Sequence, residues 1–125
     1  MAATGYSSAC YRNADGVPVM GDSTAVTQAT SISTGVTCNA YSGAITTVSQ
    51  TVAAGAEADF IVTNSKVAAT DAVCVSIRTH TSAGTFMASV STVAAGSFTI
   101  RLTNLHAANA GDNVLVINFV VQKAA

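Results

Sequence analysis

The chain has 125 residues; 50% are hydrophobic, only 9% are charged, and the formal net charge is -1. An ordinary soluble domain carries roughly 25% charged residues, so hydroxyls, amides, small apolar groups or another copy of the chain must cover much of this exterior. The balance excludes a basic footprint for nucleic acid and a polybasic segment for a membrane surface, and it points to life inside an assembly.

Length fits one domain. Chains of this size hide roughly two thirds of their unfolded surface and need no metal or disulfide staple. Met1-Ala2-Ala3-Thr4-Gly5 has neither a basic nor an apolar segment of a secretory leader, so synthesis in a cytosol is expected. Cys10, Cys38 and Cys74 are scattered singly, which reads as small hydrophobes, not as a zinc set or a disulfide framework. No cofactor is expected.

In chain order, Met1–Thr24 comes first. It holds Tyr6, Tyr11, the sole proline Pro18 and the turn-like Asn13-Ala14-Asp15-Gly16, with poor alternation. An extended N-terminal arm is expected over residues 1–24, with Tyr6, Tyr11, Arg12, Val17 and Val19 as the residues that grip a neighbour. From residue 25 to 125 the pattern is one all-β domain. No apolar stripe at helical spacing is sustained; period-2 runs rich in Val, Thr, Ile and Phe recur at intervals of about 10 to 13 residues between Gly, Asn and Asp clusters.

Ala25–Ser31, Gly35–Ala40 and Gly43–Val48 are weak strands, blurred by Thr and Ser. Glu57–Thr63 places Ala58, Phe60 and Val62 on one face, and Val73–Arg78 does the same with Val73, Val75 and Ile77. Phe86–Thr92 turns Phe86, Ala88 and Val90 inward. Ser97–Thr103 alternates strictly: Phe98, Ile100 and Leu102 against Thr99, Arg101 and Thr103. Val114–Gln122 breaks the rule. Leu115, Ile117, Phe119 and Val121 form one apolar face, and Val114, Val116 and Val120 make the other nearly as apolar. A strand apolar on both sides is covered on both sides, here by its own chain or by a partner subunit. Val114, Val116 and Val120 are the candidate subunit interface. The architecture expected is a single antiparallel β-sandwich of about eight strands, immunoglobulin-like or jelly-roll-like.

One phrase repeats. Thr51-Val52-Ala53-Ala54-Gly55 precedes a strand ending Thr63-Asn64; about 40 residues on, Thr92-Val93-Ala94-Ala95-Gly96 precedes a strand ending Thr103-Asn104. Two similar corners are expected, one in each sheet, with Gly and Asn chosen for their tolerance of positive φ.

Chemistry is sparse. His80 and His106 fall in expected loops without ligand spacing, and no Gly-x-Ser-x-Gly elbow occurs. Glu57 and Asp59 share a strand face; they read as a rim that keeps a strand edge from aggregating, against a glycosidase couple, since the chain has no tryptophan to stack a sugar. Asp71 and Asp112 have turn chemistry. No catalytic or metal-binding residue is assigned.

Several phrases together resemble small structural proteins of tailed bacteriophages: Val26-Thr27-Gln28-Ala29-Thr30-Ser31, Thr34-Gly35-Val36-Thr37, Gly43-Ala44-Ile45-Thr46, Ala53-Ala54-Gly55-Ala56, Val62-Thr63-Asn64-Ser65, Val67-Ala68-Ala69-Thr70-Asp71 and Val114-Leu115-Val116-Ile117-Asn118-Phe119. The arm lies outside the shared pattern. The resemblance implies an all-β virion module similar to head decoration (cement) proteins. Such a module would be a homotrimer bound to the major capsid protein on the outer surface of the head, assembled in the bacterial host cytoplasm, with no enzymatic activity and no nucleic-acid or membrane partner. The alternative it implies is a receptor- or glycan-binding module of a tail fibre or spike.

Overall fold

The computed structural model describes residues 23–80, 83–111 and 114–124, and the backbone alone of 10–12 and 18–20. Those residues hold ten strands and no helix: β1 (Cys10–Arg12), β2 (Pro18–Met20), β3 (Ser23–Thr27), β4 (Val36–Thr37), β5 (Ser42–Thr46), β6 (Glu57–Thr63), β7 (Ala72–His80), β8 (Phe86–Ala94), β9 (Ser97–Asn104) and β10 (Leu115–Gln122). β-branched and aromatic residues dominate the long strands, where a pleated, half-buried backbone suits them. Two four-stranded sheets result, ordered β3-β5-β10-β7 and β4-β6-β9-β8.

Their inner faces make one core. Ile45, Leu115, Ile117, Phe119 and Val121 come from the first sheet; Phe60, Val62, Phe98, Ile100 and Leu102 come from the second. Phe98 and Phe119 meet across it with ring centroids 5.3 Å apart. Each such side chain contributes about 1.5–3 kcal/mol by leaving water. Gly43 is part of this packing. It faces Phe119 in the ladder, and a Cβ there would stand 2.7 Å from the ring's Cε1 and from the Thr24 carbonyl oxygen. The edge strands β7 and β8 run beside one another along one seam, where His80 meets Phe86 edge-on at 5.2 Å. His80 is the last residue of β7, not a loop residue.

The wholly antiparallel sandwich needs correction: both sheets are mixed, with β3 parallel to β5 and β4 parallel to β6. A parallel pair cannot be closed by a tight turn and needs a crossover. Here β4, in the opposite sheet, lies on the crossover from β3 to β5, and β5 lies on that from β4 to β6. Alternation reports which face a residue takes; it says nothing of strand direction. The arm needs correction too, because β1 and β2 pair antiparallel within it, Tyr11 opposite Val19 and Arg12 opposite Pro18.

The repeated phrase proves to be a local symmetry within one sheet. β6 and β9 are antiparallel neighbours, Glu57 opposite Thr103 and Thr63 opposite Ser97. Each glycine turn therefore lies against the asparagine that ends the other strand: Gly55 N–H donates to the Asn104 carbonyl at 2.8 Å, and Asn64 N–H donates to the Gly96 carbonyl at 2.8 Å. The glycines have positive φ, +73° and +82°, which costs them nothing. The asparagines do not have positive φ; they are fully buried and work through their amides. Asn64 donates to the Ala40 carbonyl at 2.7 Å and accepts from Lys66 N–H at 3.0 Å. Asn104 donates to the carbonyls of Val52 and Asn109 and accepts from Thr85 and His106 N–H, at 2.9–3.1 Å. Both amides tie loops to strand ends.

Two further loops are anchored by polar side chains. Gln28 donates to the carbonyls of Ile32 and Thr34 at 2.8 and 2.7 Å, holding a segment in which Thr30 sits at φ +68°. Asp71 accepts from Ala68 and Ala124 N–H at 2.8 and 3.1 Å and pairs with Lys123. The Lys123 hydrogen bond first, and then the Ala68 amide, hold the Asp71 carboxyl well below its ordinary range, at about 2.

Candidate interaction surface

The two outer faces differ in kind. On β6 and β9, Asp59 stands opposite Arg101. The guanidinium grips it through Nε and Nη2, both at 2.8 Å, and reaches Glu57 at 3.4 Å. A forked pair of this sort adds geometric specificity to an exposed ionic contact. The Arg101 hydrogen bond holds the Asp59 carboxyl below its usual value, and Asp59 in turn raises Arg101. Exposed Ile61 and Met87 share this face.

The outer face of the other sheet follows from register. Ala25 lies beside Ala44, Ala44 beside Asn118 and Asn118 beside Ser76. Flanking rows place Val116 between Thr46 and Thr79, and Val120 between Ser42 and Cys74. Arg78 is the one charged strand residue of this sheet, Lys, Arg, Asp and Glu considered; it sits where a bulge shifts the β7–β10 register between Val116 and Ile117. Because the central side chains are small, the surface is hollowed: about 590 Å³ opens over Ala25, Ser42, Ala44 and Asn118, with Arg78 on its wall.

Val116 and Val120 thus lie together on the outer face of a central strand, each half-buried between its neighbours. Val114 precedes the strand and is 40% exposed. Of the arm residues, Tyr6 and Val17 lie outside the described residues. Tyr11, Arg12 and Val19 belong to the β1–β2 ladder, with side chains outside the description.

Reading residues one at a time missed the Arg101–Asp59–Glu57 cluster and the two buried asparagines. Opposite charges on two alternating strands were the signal for the first. The repeated phrase itself was the signal for the second.

The thiols differ. Cys38 is buried and free, and burial raises its pKa; Cys74 is free and exposed beside Val120. Among the described residues no three His, Cys, Asp or Glu side chains are grouped to hold a metal. The chain matches no protein-family model, and neither a curated protein nor a solved structure is significantly similar to it.

Proposed function

We propose that this chain is a structural protein of a tailed-phage virion, a decoration or cement protein that binds the outer surface of the head and stabilises the shell against DNA pressure. It acts without catalysis, as a homotrimer on the major capsid protein. The observation that carries this reading is the outer face of β3-β5-β10-β7: neutral but for Arg78, floored by small side chains, with Val116 and Val120 at its centre. Such a face can be covered by protein without stripping water from buried charge, and each apolar Å² removed from water contributes about 25 cal/mol. One contact of this kind is modest; many symmetric copies must fail together before a shell opens.

Two variants test it. Val116→Asp puts a charge at the centre of the face and is expected to hold the chain at the mass of a folded monomer by light scattering at concentrations where the wild type associates; an unchanged mass would move the interface elsewhere. Deleting Met1–Asp22 is expected to leave a folded domain that no longer attaches to purified heads. Full attachment of the truncated chain would remove the arm from the account.

A further inference from the structure

The two outer faces complement each other. The ionic face carries two carboxylates against one guanidinium, a surplus of one negative charge. Arg101 spends its fork on Asp59, so Glu57, with its side chain 51% exposed, is held only by the longer contact. On the same face Ile61 is 54% and Met87 48% exposed; large apolar side chains stand proud of this sheet. The neutral face has the opposite features. Arg78 makes no side-chain ion pair or hydrogen bond among the described residues, and the hollow beside it is floored by alanines.

We propose that copies of this chain associate front to back: the β6–β9 face of one copy seats on the β3-β5-β10-β7 face of the next, with Glu57 directed to Arg78 and an apolar side chain of the first face filling the hollow of the second. The occupant is a second copy because this chain itself supplies the matching charge and shape. A self-matched twofold contact of the neutral face would instead offer Arg78 no carboxylate on either side. A front-to-back contact is heterologous, so each copy uses both faces and association can propagate.

The contact is small. Four strands about 4.8 Å apart and five to nine residues long at about 3.3 Å per residue give a face of roughly 400 Å². A standard interface buries about 800 Å² per partner. Association in free solution is therefore weak, and it strengthens where copies are held side by side at the millimolar-scale local concentration that tethering gives. The proposal rests on the virion reading only for where that tethering occurs; the contact itself needs no capsid.

A charge swap tests it on the purified full chain by sedimentation equilibrium up to about millimolar concentration, with near-ultraviolet circular dichroism to check folding. The wild type is expected to rise in mass with concentration above its 12.5 kDa monomer. Arg78→Glu and Glu57→Lys each juxtapose like charges and are expected to weaken association about tenfold or more. The double variant R78E/E57K is expected to regain it, since opposite charges then meet at every contact with their signs exchanged. An equimolar mixture of the two single variants is expected to regain it as well, through contacts that alternate between them. Single variants that associate like the wild type, or a mixture and double variant that fail to recover, would overturn the proposal. Failure of this swap with head attachment intact sinks the front-to-back contact alone. A successful swap in a chain that never binds heads sinks the virion reading alone.

Discussion

On β6 and β9 the outward rows hold Glu57, Asp59 and Arg101; on β5 and β10 the corresponding rows hold Ala44, Asn118, Val116 and Val120. Beneath both rows lies the same core, built from alternating residues of both sheets. The inner faces are interchangeable in kind, and the outer faces are not. One carries an ion-paired cluster beside exposed Ile61 and Met87, and the other is left small and nearly uncharged. Stability thus resides between the sheets, and the proposed recognition on their backs.

Breaking the shared part is expected to have the largest effect. Phe98→Ala in one sheet and Ile117→Ala in the other should each lower the unfolding free energy by about 2–5 kcal/mol in denaturant melts. A loss much smaller in one sheet than in the other would mean that the two do not share one core.

The symmetric corners come next. Asn104→Ala removes a hydrogen bond from four backbone groups and Asn64→Ala from two. Losses of about 3 and about 2 kcal/mol are expected, and the reverse order would show that the amides are not the clamps. Thr30 is the opposite case. A β-branched residue at positive φ is strained, so Thr30→Gly is expected to stabilise the fold by about 1 kcal/mol.

The outer faces should barely register in the same melts. Arg101→Ala removes an exposed ionic cluster, which water and salt screen, and is expected to cost far less than either asparagine change. Arg78→Ala is expected to leave monomer stability unchanged. A large effect of Arg78→Ala would show that the neutral face is structural and would remove its role in association.

Acid gives the finest probe. Asp71 titrates at about 2 in the fold and at about 3.9 in an unfolded chain. Its folded pKa is depressed, so its stabilising contribution is complete above about pH 4 and fades as pH falls toward 2. Asp71→Asn is expected to flatten that part of a stability–pH curve, and an unchanged acid limb would assign the titration to another carboxylate.

Most strands could be read from the chain because alternation is a direct record of burial. β6 matches its expected span, Glu57–Thr63, and the buried rows of β9 and β10 are the alternating residues themselves. β3, β4 and β5 were blurred because their Thr, Ser and Ala sit where both faces accept small residues. Neighbour relations were not legible at all. The hollow over Ala25 and Ala44 exists only because β3, β5 and β10 lie side by side, and no periodicity encodes that. Likewise Asn64 and Asn104 could be seen to correspond, but their joint role required knowing that β6 and β9 are antiparallel partners. Val116 and Val120 were legible as an outward apolar pair because β10 is apolar at both parities. Arg78 was legible as outward as well, since Val73, Val75 and Ile77 alternate inward before it; its place beside Asn118 was not, because that depends on β7 pairing with β10.

The most direct test of the central claim, that the small neutral face exists to be covered in a shell, is a cryo-electron microscopy map of intact phage heads carrying this chain. The account predicts its density on the outer surface of the head, with Val116 and Val120 against neighbouring protein. Density absent from the head, or present with that face turned to solvent, would contradict it.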